Sequence, residues 1–515
     1  MQFLRTQSPT LNQEPPDRSA CRADGLELLA IADAIAAAKS AWGEELAPWR
    51  RTITDLLKDP DLESLRGEMQ LEALSLALRG QWLRMARSVV DPFLKSPIRN
   101  QPVSLPISSS SGFVYERVFN AGYIEKKIAS CYTPIPTWTT RHAAFGSGMA
   151  AITALILTLG YYRKVYQRAD GHTLRLDWLG GYYEMQRLIA LLDNPGIYAR
   201  RIPAFESLLE RVRSGKTDIL FVEPVLYDWS QTVADPHALI EAIQARPADR
   251  PWILMTDSTL LGATFDLGEF LRACGDRWPL LAVDLRSGLK LDQHGLEFAN
   301  LGMVGISTHP DLDERYPSAE RFKKRLTLNR SVLGSGLSVE AAATLELPTI
   351  LHPEWRTGHP ARIFANNREV ALALAGIPGL FRRVNHPALG PHRHLSWAES
   401  PFVVLEFHQH EDLQENHALL LRIIENESKA RGVVFYLGVS FGFRHHRCEV
   451  VVSENSFPYP NGQMRGFFKV AVGSRRGPSF EGMLALLKEL AACADFQALR
   501  RAYPQWVSES PPGPP

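Results

Sequence analysis

The sequence predicts an α/β protein: a mostly parallel, doubly wound sheet, a smaller C-terminal α+β domain and an N-terminal helical arm. Two observations carry this. Between 140 and 310, short apolar runs such as DILFVEP, PWILMTD and LLAVDL alternate with helical stretches such as PHALIEAIQA, which is the βαβ pattern. After Pro348 the pattern changes to a helix (ARIFANNREVALALAG), strands (FVVLEFHQ, VVFYLG, RCEVVVS, FFKVAVG) and a last helix (FEGMLALLKELAACA), which reads as α+β.

Upstream, LELLAIADAIAAAKSAW and LESLRGEMQLEALSLALRGQWLRMA space apolar residues three and four apart, with Pro60 between them. They form the helical arm. The segment QPVSLPISSSSGF, 101 to 113, has two prolines and a serine run and reads as a linker without regular structure. The expected organisation is therefore 1–112 helical extension and linker, 113–350 α/β domain, 351–505 α+β domain and 506–515 disordered tail.

Composition excludes several classes. With 57 Lys+Arg against 56 Asp+Glu, the chain has no global field to hold nucleic acid or an anionic membrane. Five scattered cysteines, Cys21, Cys131, Cys274, Cys448 and Cys493, make neither a disulfide framework nor a CxxC metal site. A reducing cytoplasm is expected, since the first twenty residues lack the apolar core of a secretory signal. The uncharged run from Ala143 to Tyr162 reads as a buried loop-to-helix segment rather than a membrane span, because glycines, threonines and a serine interrupt it.

Three features of the α/β region carry chemistry. Gly146-Ser147-Gly148 precedes a helical run, where backbone N–H groups point at a bound anion. Asp257 closes the strand PWILMTD. Lys290 follows the strand LLAVDL between apolar neighbours, and a partly desolvated lysine is a nucleophilic amine. Each alone has an ordinary explanation: a tight turn, a helix cap, a snorkelling lysine. In this order they match what a pyridoxal 5′-phosphate (PLP) site requires.

The segments around them make the match specific. Ser147–Ile152 (SGMAAI) resembles the signature of the cystathionine γ-synthase and γ-lyase family, the Cys/Met-metabolism group of fold-type I PLP enzymes. Tyr115-Glu116-Arg117 with Asn120 is similar to its Tyr-x-Arg-x-x-Asn segment, Gly180-Gly181 to its Gly-Gly-Thr-Tyr element and Glu223-Pro224 to Glu-x-Pro. Asp257-Ser258-Thr259 resembles Asp-Asn-Thr, and Ser287-Gly288-Leu289-Lys290 resembles Ser-x-Thr-Lys. Ser440-Phe441-Gly442 is similar to Ser-Leu-Gly, and Lys469-Val470-Ala471-Val472-Gly473 to Arg-x-Ser-x-Gly. The resemblance runs from about 113 to 490 and leaves out the helical arm.

That resemblance implies the roles. Lys290 is the Schiff-base lysine and Asp257 the partner of the pyridine nitrogen. Gly148, Met149 and Ser287 hold the phosphate, joined by Tyr115 and Arg117 from a second chain, so a homodimer or homotetramer with shared active sites is implied. Leu179 stands where the family has the tyrosine that stacks on the cofactor, with Trp178 and Tyr182 as substitutes. Ser440, Tyr227 and either Lys469 or Arg465 would meet the amino-acid substrate. The implied reaction is β- or γ-elimination or replacement, an extreme form being loss of halide from a halogenated allylglycine to give a terminal-alkyne amino acid. An aminotransferase is the alternative within the PLP class.

Two rivals come from other classes. Gly438-Val439-Ser440-Phe441-Gly442 matches the G-x-S-x-G elbow of a serine hydrolase, but no acid separates Ser440 from His445-His446 and no histidine follows them. His392 with His394, His408 with His410, and His445-His446 could suggest a metal, yet no carboxylate spacing completes a set, and no metal is expected.

Overall fold

The computed structural model describes residues 20–166, 173–191, 196–452, 459 and 461–507. Of the tail expected at 506–515, residues 508–515 lie outside these, as do the polar first nineteen residues, whereas Trp506 closes a short helical turn, Pro504–Trp506.

The sequence run read as a single first helix is two. α1 (Ala20–Ala38) ends at Lys39, whose extended backbone (φ −148°, ψ 135°) turns the chain back into α2 (Ser40–Leu56). The reversal is favoured because it buries Trp42, Leu46 and Ile53, and sets Trp42 edge-on to Trp82 at 5.6 Å between ring centroids. α3 (Leu65–Val90) starts at Ser64, whose hydroxyl accepts from the Gly67 amide, and buries Leu71, Leu78, Trp82 and Met85 along one face. The Trp82 indole N–H donates to the Thr344 carbonyl at 2.8 Å. The apolar faces of this helical arm join one core with residues 337–351.

The segment read as a linker is a hairpin of β1 (Gln101–Ser104) and β2 (Ser109–Phe113). Pro102 is tolerated on a two-stranded ribbon, where edge positions need no donor. Val103, Leu105 and Phe113 are buried, and the buried Glu346 carboxylate accepts from the Ile107 and Ser108 amides. A carboxylate more than 230 residues away thus orders a turn that its own sequence leaves undetermined.

After α4 (Gly122–Cys131) comes the large sheet, which holds β3 (Thr139–Phe145), β4 (Leu174–Leu179), β5 (Ile197–Arg201), β6 (Ile219–Val222), β7 (Ile253–Asp257), β8 (Leu281–Ser287) and β9 (Gly302–Thr308). Its order is β3-β9-β8-β7-β6-β4-β5. Strands β5 to β8 and β4 run parallel, and β9 is antiparallel to both β8 and β3. Their near-continuous burial is what a sheet covered on both faces demands. The uncharged run splits at Gly146 into β3 and α5 (Gly148–Tyr161), and among the described residues no helix is long and apolar enough to cross a membrane.

The C-terminal sheet contains β10 (Phe381–Asn385), β11 (Val403–Phe407), β12 (Phe435–Leu437), β13 (His446–Val452) and β14 (Gly466–Ala471), in the order β10-β11-β14-β13-β12. Helices Gly358–Leu374, Gln414–Arg431 and Pro478–Ala491 pack on it.

A buried ion network ties the N-terminal helices to this part of the chain. Arg444 Nε and Arg475 Nε donate to the two oxygens of Asp24 at 2.9 and 2.8 Å, and Arg475 Nη1 donates to Glu72 at 2.9 Å. Glu72 also meets His445 Nδ1 at 2.8 Å. All five side chains are buried.

Candidate active site

The parallel strands end on one side of the large sheet, and the loops that leave them line a cavity of about 270 Å3. This is where a doubly wound sheet places ligands, because strand ends and helix starts converge there. Ser147, Gly148 and Met149 come from the start of α5, Tyr182 and Glu184 from beyond β4, and Glu223 and Tyr227 from beyond β6. Asp257 ends β7 with Thr259 just beyond it, Ser287 ends β8 with Lys290 just beyond it, and Phe441 reaches in from the C-terminal part of the chain.

Lys290 Nζ donates to Ser440 Oγ at 2.5 Å and lies over the Phe441 ring at 5.8 Å. Burial lowers its pKa below the usual lysine range; Glu297 opposes this and the charges of Lys469 and Arg447 assist it. Ser440 is held at φ +81° and the following Gly442 at φ +92°. A Cβ on Gly442 would sit 2.0 Å from the Lys290 carbonyl oxygen, so only glycine lets the two loops approach.

Asp257 is held by Thr259, whose amide donates to Oδ1 at 2.9 Å, and burial raises its pKa. Thr259 in turn accepts from the Ser287 amide at 2.9 Å, joining the ends of β7 and β8. Glu223 stitches the adjoining loops: its carboxylate accepts from the amides of Gly181, Tyr182 and Tyr227 at 2.9, 3.2 and 2.9 Å. Burial and then the charge of Asp257 push its carboxyl up to about 7, against those three donors. At the start of α5, Ser147 caps the helix by accepting from the Ala150 amide at 3.1 Å. The Gly148 and Met149 amides, in the first turn, have no intrahelical acceptor.

The structure thus brings Lys290, Asp257, Gly148, Met149, Ser287 and Tyr227 to one cavity, with Ser440 against Lys290. Others fall elsewhere. Leu179 is the last residue of β4 and packs in the core with Leu220 and Val222, not on the cavity. Trp178, beside it on the strand, is buried in the core cluster on the opposite side; Tyr182, three residues on, supplies the aromatic wall. Lys469 is fully buried on β14, paired with Glu449 on β13 and donating to the Tyr227 hydroxyl at 3.0 Å. Arg465 lies between the rings of Trp229 and Tyr459 at 4.1 and 4.6 Å, away from the cavity. Tyr115 and Arg117 stack on each other at the surface, 4.7 Å apart, and do not line this cavity.

Glu184, Asn300 and the partner of Lys469, Glu449, escaped sequence reasoning. Glu184 could have been found, since it begins a helix just after a Gly-Gly turn at a strand end. Glu449 could not, because the β13–β14 register that sets it opposite Lys469 is a tertiary fact. Of the paired histidines, His446 Nδ1 accepts from the Gly473 amide, His408 faces the Gly379 carbonyl, and His445 meets Glu72. Among the described residues no cluster of three His, Cys, Asp or Glu could hold a metal. Ser440 has a lysine, not a histidine, as its partner, so the hydrolase geometry is missing.

This sheet order and strand-end cavity define a doubly wound α/β fold with an added C-terminal sheet. That fold is the one seen in fold-type I enzymes of the cystathionine group. The chain resembles the structure of MetB from Corynebacterium glutamicum with a TM-score of 0.53 at 17% identity, covering 78% of this chain and 91% of that one. It resembles cystathionine γ-lyase from yeast with a TM-score of 0.52 at 16% identity, over 81% and 98% of the two chains. A third match is a putative O-acetylhomoserine (thiol)-lyase from Campylobacter jejuni, TM-score 0.50 and 18% identity over 74% and 88%, whose structure carries an N'-pyridoxyl-lysine-5'-monophosphate. No family model matches the sequence, and no curated protein matches it significantly.

Proposed function

We propose that this protein is a PLP-dependent enzyme that catalyses β- or γ-elimination or replacement on an amino acid carrying a side-chain leaving group. The observation that carries the reading is the convergence of a desolvated lysine, a buried strand-end carboxylate and a helix start on one cavity. The residues fit the cofactor: an amine for its aldehyde, a carboxylate for its ring nitrogen, and free amides with a hydroxyl for its phosphate. The fold shared with a pyridoxyl-lysine-containing structure supports the same choice.

When bound, PLP supplies an electron sink that makes protons next to the substrate's amine acidic. Asp257 would keep the ring nitrogen protonated, since a carboxylate beside it favours the charged form. Lys290 would bind the aldehyde carbon, give it up to the substrate amine and then, as a free amine of lowered pKa, take the Cα proton. Ser440 orients that amine through their hydrogen bond. Gly148, Met149 and Ser287 would anchor the phosphate, with Tyr115 and Arg117 of a second copy completing it in a homodimer or homotetramer. Tyr182 and Tyr227 would flank the substrate. The position that the resemblance gives to a ring-stacking tyrosine holds Leu179, which lies in the core, so a leaving group that needs no proton, halide in the extreme case, would suit this site better than thiolate or alkoxide.

Purified protein should show a visible cofactor band, and borohydride should fix the cofactor on Lys290. In Lys290→Ala both should vanish together with turnover. Persistence of turnover at near the parent rate would overturn the reading. Product analysis separates the chemistries: ammonia with a keto acid marks elimination, and a keto acid without ammonia marks transamination.

A further inference from the structure

The cavity is poor in positive charge for a site that would hold a phosphorylated cofactor and an amino acid. Its described lining includes three carboxyl side chains, Glu184, Glu223 and Asp257, and a single cationic one, Lys290. On the reading above, Lys290 is committed to the cofactor, and the phosphate adds negative charge that Arg117 of a second copy offsets only in part. Two further cations act on Lys290 from outside this lining: Arg447, which donates to His445 and to the Val439 carbonyl, and Lys469, which is fully buried against Tyr227 and paired with Glu449. Between Lys469 and the cavity stands the lining residue Tyr227, whose oxygen accepts from Lys469 Nζ and whose phenolic O–H is thereby left as a donor. Tyr182 gives no charge either, since its hydroxyl donates to Glu184 at 2.8 Å. Ser440, beside Lys290, offers a neutral hydroxyl and no charge. A free α-carboxylate entering this cavity would exchange water for a surplus of like charge, a cost that an uncharged acyl group avoids.

We propose, on the basis of the PLP reading, that the substrate is an amino-acid derivative whose carboxyl group is uncharged, an ester, amide or thioester, with its acyl oxygen accepting from the Tyr227 hydroxyl. The amine and the side-chain leaving group keep the places that the reading assigns to them. Glu449 becomes a specificity-determining residue, because it cancels the charge of Lys469, the cation bonded to the cavity's Tyr227.

The test is a titration of the holoenzyme's cofactor band with L-methionine, its methyl ester and its carboxamide, each Kd referred to the unprotonated amine so that differing amine pKa values drop out. A pantetheine thioester of methionine in a fourth titration separates a carrier-bound source from a small ester or amide. The uncharged ligands should bind about tenfold tighter than the acid or better, and Glu449→Gln should tighten the acid selectively, narrowing the gap to about threefold. Tighter or equal binding of the acid by the parent enzyme overturns the proposal, as does a band that none of the ligands moves. In either case, cofactor still fixed on Lys290 by borohydride leaves the PLP reading standing. Failure of that fixation overturns the reading itself, and this proposal with it.

Discussion

At the scale of single residues, the two groups that matter most lie where strands stop. Asp257 and Lys290 could be singled out in the sequence because each follows an apolar run that a buried strand requires, and the structure sets both on one cavity. Asp257→Asn keeps the side chain's shape and removes its charge, so kcat should fall on the order of 10²-fold or more while the melting temperature stays near that of the parent. An unchanged kcat with a normal cofactor spectrum would take Asp257 out of the site. Gly442 makes a different kind of prediction. Its φ of +92° and the 2.0 Å approach to the Lys290 carbonyl leave no room for a methyl group. Gly442→Ala should cost on the order of 2 kcal/mol of stability and separate Ser440 from Lys290, read as a lowered melting temperature and a cofactor band whose pH titration is displaced. Leu179 shows the limit of single positions: a motif placed it on the cofactor ring, but the alternation of β4 turns its side chain into the core, and Tyr182 from the following turn faces the cavity instead.

Among elements, the segment after the hairpin is exposed at the surface. Tyr115 is 44% exposed on a short helical turn, Glu116–Val118, and Val114 and Val118 beside it are exposed too. Glu116 secures the turn through Lys95 and the Val339 amide, leaving Arg117 stacked on Tyr115 at the surface. This placement suits a segment that serves a second copy, since a guanidinium and a phenol together suit phosphate oxygens. Mixing inactive Arg117→Ala with inactive Lys290→Ala chains should restore part of the activity, because one site of a mixed dimer then has both residues intact. No recovery despite demonstrated subunit exchange would mean that the segment serves its own chain or none. Elements also divide into legible and illegible. The βαβ alternation was readable because a sheet covered on both faces needs continuous apolar strands. The hairpin at 101–113 was not, because Glu346 and the core under Val103 and Phe113 supply its order.

At the scale of the whole molecule, the N-terminal helices hold the loop that carries Ser440. Arg444 follows Gly442 by two residues, and its partners on α1 are Asp24 and Glu27. The His359 ring nitrogen donates to the Gly442 carbonyl from the other side at 2.9 Å. Removing one member of a buried ion network leaves charges unpaired, at about 3–5 kcal/mol. Asp24→Asn should therefore lower the melting temperature and also displace the cofactor band's pH titration in the direction that Ser440→Ala does, with the double variant less than additive. Full additivity would mean that the helices stabilise the fold without positioning the loop. The network also sets acid stability. Burial pushes the Glu72 carboxyl up, but His445 and Arg475 outweigh it and bring it down to about 2; Asp24 is likewise held low by Arg444 and Arg475 against burial. Both carboxylates contribute stability that is present above their unfolded pKa, near 4, and lost as pH falls toward their folded values. Glu68, raised by burial, runs the opposite way. Melting temperature should drop steeply between about pH 4.5 and 2, and Glu72→Gln should flatten that slope.

The sequence by itself determined the layered α/β architecture, the smaller second sheet and the short list of chemically able residues at strand ends. Those depend on local periodicity and on which side chains can act as amine, acid or anion cradle. Tertiary structure alone decided which of them meet. The cross-strand register that neutralises Lys469 and the carboxylate of α1 that braces the Ser440 loop both depend on contacts between residues far apart in the chain, and pairings of that kind leave no periodic trace in it.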